Sequence, residues 1–165
     1  MPQEPFAITP VRSAADLADA IALFTAYANS LGVDLAYQGF AAEMAAMPGK
    51  YAPPGGELLL ARRADSEAIG CVGLRPIDPP GCCEMKRLYV PPQARGLGLG
   101  KALVEAVIAE AVRSGYREIR LDTLPTMDEA IGLYRKLGFE PIAPYYVTPI
   151  VGTKFMAKRL TSGIA

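Results

Sequence analysis

Three glycines at alternate positions divide a strand from a helix in Val90-Pro-Pro-Gln-Ala-Arg95-Gly-Leu-Gly-Leu-Gly100-Lys101. The segment before them, Cys82 to Val90, reads as a strand that carries Glu84, Lys86 and Arg87. The segment after them has Leu103, Val104, Val107, Ile108 and Ala111 on one helical stripe, with Lys101, Glu105 and Arg113 off it. A strand, a glycine loop and a helix start in that order leave backbone N–H groups unshielded where the helix dipole is positive. Such a loop holds anions, above all phosphates. Arg95 and Lys101 add positive charge at its edges.

Two common phosphate loops do not fit. A P-loop requires Gly-x4-Gly-Lys-Ser/Thr, but Arg95 stands at the first glycine position and Ala102 replaces the magnesium-binding hydroxyl. A dinucleotide fingerprint requires Gly-x-Gly-x-x-Gly. Gly96 and Gly98 begin it, Lys101 breaks it, and Pro91-Pro92 follow the strand. Asp122, at the end of the next strand, would have been the ribose carboxylate.

The rest of the chain reads as one mixed α/β domain over residues 1–165, with its core between about residues 6 and 160. Phe6 to Val11 alternates as a strand. Ser13 caps a helix whose stripe is Leu17, Ile21, Phe24, Ala28 and Leu31, ended by Gly32. Phe40 to Met47 is a short helix, and Tyr51 to Gly56 is a loop. Glu57 to Arg63 and Ala68 to Leu74 form a hairpin. Glu118 to Leu124 is a strand. Asp128 to Leu137 is a helix with Ala130, Leu133, Tyr134 and Leu137 inward. Phe139 to Ile142 and Phe155 to Leu160 are the last strands. The order is β-α-α-β-β-β-α-β-α-β-β.

Charge and composition narrow the function. Lys+Arg and Asp+Glu both number 17, so no net field favours nucleic acid or an anionic membrane. No apolar run nears the roughly 20 residues of a membrane span. Met1-Pro-Gln-Glu-Pro5 lacks the pattern of a secretory leader, and the cytoplasm is the expected compartment. Cys71, Cys82 and Cys83 lack metal-site spacing and read as small buried apolar side chains, so no metal is expected. The chain contains no histidine. Proton transfer near neutral pH therefore falls to Glu, Asp, Tyr, Cys, Lys or water.

Beyond the loop, the sequence resembles the GNAT superfamily of acetyl-CoA-dependent N-acetyltransferases. Arg95-x-x-Gly98-x-Gly100 is similar to its pyrophosphate motif. Glu84-Met-Lys-Arg-Leu-Tyr-Val90 is similar to the strand before that motif, and Ala130 to Phe139, with Tyr134, to its second coenzyme motif. The resemblance covers nearly the whole chain. It implies a GNAT-like fold: a central, mixed but mostly antiparallel sheet of about six or seven strands, flanked by about four helices.

The resemblance also implies site roles. Arg95, Gly96, Leu97, Gly98, Leu99, Gly100 and Lys101 would bind the pyrophosphate of acetyl-CoA, the co-substrate, chiefly through backbone N–H groups. Leu88, Tyr89 and Val90 would pair with the pantetheine arm, the Val90 N–H polarising the thioester carbonyl. Tyr134 would protonate the departing thiolate, its hydroxyl about 3 Å from sulfur. An attacking alkylamine has a pKa of about 10.4 and must lose a proton. Glu84 would take it, directly or through water; an ion pair to a neighbouring strand is its competing reading. The amine would attack directly through a tetrahedral intermediate. Many members carry Asn where Met127 stands, a departure that falls on the coenzyme contacts of that helix start.

The acceptor site would be built by the N-terminal helices, the Tyr51–Gly56 loop and the Pro144–Pro149 loop. Asp34, Glu43, Tyr145 and Tyr146 either meet a cationic amine there or serve packing and surface. A small-molecule primary amine is the first reading. A protein N-terminus or lysine is the second, and a non-catalytic acyl-CoA-binding module the third. A homodimer is compatible with the resemblance.

Overall fold

The computed structural model of the chain describes residues 6–161. The N-terminal pentapeptide, read above as no leader, lies outside the described residues. Among the described residues, seven strands form one sheet: β1 (Phe6–Pro10), β2 (Glu57–Arg63), β3 (Ala68–Ile77), β4 (Cys82–Tyr89), β5 (Glu118–Thr123), β6 (Glu140–Pro141) and β7 (Lys154–Arg159). Four α-helices accompany them: α1 (Ala14–Ser30), α2 (Phe40–Ala45), α3 (Leu99–Arg113) and α4 (Asp128–Lys136). Spatial order is β1-β2-β3-β4-β5-β7-β6. Every neighbouring pair is antiparallel except β4 with β5. This is the expected mixed, mostly antiparallel sheet in the expected element order.

Period-2 alternation sorts β2 between two cores. Leu59 and Ala61 pack with Val104, Val107 and Ala111 of α3, while Leu58 and Leu60 pack with Ala20, Leu23 and Phe24 of α1. The α1 helix starts as expected, with the Ser13 hydroxyl accepting from the Asp16 N–H at 3.0 Å. Gly73 lets the second core close: a Cβ there would sit 2.7 Å from the Tyr51 ring. The cysteines are free and buried, as read from sequence.

Several boundaries differ from the sequence expectation. The β3 strand runs on through Arg75, Pro76 and Ile77, which places Arg75 opposite Glu84. The final hairpin shrinks on one side to Glu140–Pro141 because Pro141 cannot donate to a ladder. In α4 the buried pair is Ile131 and Tyr134; Ala130, Leu133 and Leu137 are only partly buried. The α1 stripe is centred on Ala20, Leu23 and Phe24 rather than on Leu17 and Ile21.

Candidate active site

Two irregularities of β4 make the site. The first is a divergence from β5. The parallel ladder pairs only Cys82 with Glu118, Cys83 with Ile119 and Glu84 with Arg120. From Met85 onward the β5-side edge of β4 has no strand beside it, and a wedge opens between the two.

The second is a bulge. Between Cys71 and Gly73 the β3–β4 register slips, so that Cys71 faces Tyr89 while Gly73 faces Lys86. Arg87 sits at the bulge with φ +60°, in the left-handed region. Strict alternation would send Arg87 toward the α3 core. The bulge instead turns Lys86 and Arg87 to one face, where both donate to the Gln38 Oε1, at 3.3 and 2.8 Å. Three charges at 84, 86 and 87 violate period 2, and that violation was the sequence signal for the bulge.

A cleft of about 670 Å³ runs from the glycine loop into the wedge. Leu88, Tyr89, Val90, Arg95, Gly96, Gly98, Leu99 and Gly100 line it, as does Met127. Of the ten residues expected to hold coenzyme, only Leu97 and Lys101 lie off the cleft wall. Leu97 is exposed, and Lys101 points to Glu105 one turn along α3, 3.8 Å away. Leu99 packs into the core with its side chain, so only its backbone faces a ligand. Gly96 and Gly98 adopt φ of +90° and +76°, the conformation that turns the loop into the α3 N-terminus. Arg95 ties the loop back to the strand end by donating from Nε to the Val90 carbonyl at 3.2 Å.

A second, narrow cavity continues the first and shares Tyr27, Leu88, Met127 and Ala130 with it. Its walls include Tyr134, Thr123, Lys86, Arg87, Gln38 and Asp122. Burial pushes the Tyr134 phenol well above its ordinary range, with Tyr27 and Asp122 adding to the effect, so it stays protonated. The Thr123 hydroxyl is buried with no hydrogen-bond partner.

Behind this cavity lies a buried polar ring. Arg75 holds Glu84 Oε1 at 2.8 Å and Glu43 at 3.6 Å. Arg87 holds Glu43 at 3.2 Å. Lys86 holds Asp122 at 3.4 Å, across the wedge from β4 to β5. The loop before β7 closes the ring: Tyr145 donates to Glu84 Oε2 at 2.6 Å, and Tyr146 donates to Asp122. Both tyrosines pack edge-on to Phe155. Burial, followed by the adjoining carboxylate, pushes both phenols up.

Sequence-nominated residues thus divide. Tyr134 reaches the cavity. Glu84 is 1% exposed, engaged on both oxygens, and lines neither space; its neighbour-strand ion pair is present. Glu43, Tyr145 and Tyr146 join the ring. Asp34 is an N-cap, accepting from the Ala36 N–H at 2.9 Å. The Tyr51–Gly56 loop is a correction: Tyr51 and Pro53 line a separate hollow with Val11, Leu17 and Pro48, because the Tyr51 ring is drawn onto Gly73 and Phe24. Sequence reasoning missed Lys86, Gln38, Thr123 and Asp122 as walls of the inner cavity. Among the described residues, no cluster of three or more His, Cys, Asp or Glu is placed to hold a metal, and no helix is long and apolar enough to cross a membrane.

Known proteins are similar to this chain in sequence and in fold. The chain is 42% identical to an uncharacterized N-acetyltransferase of Schizosaccharomyces pombe over 93% of its own length and 94% of the relative's. It is 36% identical to an IAA acetyltransferase of Azospirillum brasilense, over 66% of this chain and 71% of that one. A solved acetyltransferase of the GNAT family from Staphylococcus aureus Mu50 superposes with a TM-score of 0.76 at 21% identity, covering 94% of this chain and all of that one. The profile of the acetyltransferase (GNAT) family matches residues 29–139, which hold the diverging strand, the glycine loop and α4. With the family model spanning most of the chain and a relative 42% identical over nearly all of it, the chain belongs to the GNAT acetyltransferase family and is an acyltransferase.

Proposed function

We propose that the protein moves the acetyl group of acetyl-CoA to the primary amine of a small molecule. The observation that carries this reading is the continuous path from the glycine loop, along the open edge of β4, to Tyr134 and the polar ring. The coenzyme pyrophosphate would meet the N–H groups of Arg95 to Lys101, and the pantetheine arm would run beside Leu88 to Val90 as an added strand. Met127 and Asp128 border the same cleft, so backbone groups at the α4 start replace the side-chain amide that many relatives carry there.

In the transfer, the amine nitrogen bonds to the thioester carbon and the C–S bond breaks. One proton leaves nitrogen and one reaches sulfur, giving amide and free thiol. Tyr134, with its pKa above a thiol's ordinary value of about 8.5, donates a hydrogen bond to the departing sulfur, and the proton it gives the thiolate is replaced by one from water, so no phenolate persists. For the amine proton, Glu84 would act through Tyr145, whereas Asp122 faces the cavity directly. The shorter route assigns this work to Asp122. The narrow inner cavity, about 70 Å³, favours a small amine over a folded protein surface.

The test is calorimetric titration with acetyl-CoA, then thiol release across a panel of amines. Binding with amine-dependent release supports the reading. Binding with no release for any amine or peptide supports an acyl-CoA-binding module instead.

A further inference from the structure

The walls of the inner cavity say more about the acceptor than that it is an amine. Three charged side chains line it: Arg87, already paired with Glu43 at 3.2 Å, and the opposite charges Lys86 and Asp122, with side chains 5% and 9% exposed. Both Lys86 contacts are long: 3.4 Å to Asp122 and 3.3 Å to Gln38. They lie beyond the usual limit of about 3.2 Å for such bonds, and an ammonium has three protons to place. The other two cations of the ring are held more closely, Arg75 by Glu84 at 2.8 Å and Arg87 by Gln38 at 2.8 Å. Lys86 is therefore the loosest buried cation, and the bulge at Arg87 lies beside it.

Consider what each class of ligand does to that pair. A plain cationic amine that takes Asp122 leaves the Lys86 ammonium buried without an anion. A plain carboxylate that takes Lys86 leaves Asp122 without its cation, held only by hydrogen bonds from Tyr146 and Gln38. Either outcome is strongly unfavourable in a dry site. A molecule carrying both charges close together keeps both residues paired. Resting on the acetyl-transfer reading, we propose that the acceptor is an amino-acid-like zwitterion. Its carboxylate meets Lys86 and its amine meets Asp122, on the side of the cavity that leads to Tyr134. The unpartnered Thr123 hydroxyl, 6% exposed on the same wall, offers a further polar contact. Leu31, Leu35, Met85, Leu121 and Leu124 supply much of the rest of the lining, beside Tyr37, so an apolar side chain suits the remaining space.

The test compares matched amines on the intact protein with acetyl-CoA: leucine, leucinamide and isopentylamine, and likewise phenylalanine and phenethylamine. Thiol release should favour each free amino acid by at least about tenfold in kcat/KM, a difference of roughly 1.4 kcal/mol. Equal rates, or preference for the amide or plain amine, overturn the proposal while leaving acetyl transfer intact. Binding of the same set, measured by calorimetry with coenzyme A present, decides the matter independently of turnover. A tenfold tighter fit for the amino acids supports the proposal even where no thiol appears, and equal binding overturns it. Lys86→Gln should reduce the preference to about twofold, and Lys86→Arg should preserve it. A folded Lys86→Gln protein with the full preference also overturns it.

Discussion

The Tyr145 hydroxyl donates to Glu84 Oε2 at 2.6 Å, joining the loop before β7 to the middle of β4. Glu84 is also held by Arg75, so the phenol completes the coordination of a carboxylate that water hardly reaches. A hydrogen bond to a buried charge is worth about 1.5–3 kcal/mol. Tyr145→Phe should lower stability by that amount in urea unfolding. It should also raise the acceptor KM while leaving coenzyme affinity within about twofold, because the loop lines neither cavity and touches the inner one only through the bonds of Tyr146 to Gln38 and Asp122.

Glu84→Gln removes the anion between Arg75 and Tyr145. Breaking one partner of a buried pair costs about 3–5 kcal/mol, and the loss should appear chiefly as a lower unfolding midpoint. Asp122→Asn also leaves Lys86 without its anion and should lower the unfolding midpoint, but in protein that folds and still binds acetyl-CoA it should in addition lower kcat by about a hundredfold or more. If Glu84→Gln folds normally and loses kcat to the same degree, the base is Glu84 and not Asp122.

Tyr134→Phe keeps the ring against Phe139 and deletes only the hydroxyl. Turnover should fall by about tenfold to a hundredfold, with the calorimetric affinity for acetyl-CoA nearly unchanged. Full activity would remove Tyr134 from the proton path.

Glycines on the two sides of the site should respond in opposite directions. Gly98→Ala forces a Cβ into a residue at φ +76°, at a cost of about 1–2 kcal/mol, and should weaken coenzyme binding as the loop shifts. Gly132, inside α4, has an ordinary φ and open space at its Cβ. Gly132→Ala should raise the unfolding free energy by about 0.5–1 kcal/mol.

Burial pushes the Cys83 thiol from its usual 9.0 up to about 12, and the Tyr27 phenol from 10.0 up to about 12. A raised folded-state value means stability that is complete below the unfolded value and is lost as pH climbs toward the folded one. Unfolding midpoints should be flat near pH 8 and fall between about pH 9 and 12, by at most about 1.4 kcal/mol per pH unit for each group. Cys83→Ala should flatten the first part of that fall. In the native protein Cys83 and Cys71 should resist alkylation at pH 8.

Sequence made much of this visible, for local reasons. The glycine loop, the Ser13 cap and the stripes of α3 are short-range patterns, and each appears where the residues indicate. The inner cavity with its polar ring was harder to read. Its groups come from 38, 86, 122 and 145–146, distant in sequence and gathered only by the sheet. The departure of β4 from β5 has no signature in either strand alone, since it depends on where a parallel ladder stops. The bulge at Arg87 did have one, in charges whose spacing breaks strand alternation. Arg75 escaped notice because β3 continues past Leu74 into a segment containing Pro76.

The Lys86–Asp122 pair spans the very gap that separates β4 from β5. One side chain thus belongs to the wall along which coenzyme would lie, and the other to the strand facing it. An acceptor entering between the two charges would act on the strand along which coenzyme would lie. The two ligands would then be energetically linked: any factor by which coenzyme changed acceptor affinity would equal the factor by which acceptor changed coenzyme affinity. A preferred order of addition would follow from how far apart two strands stand, with no separate regulatory element in the chain.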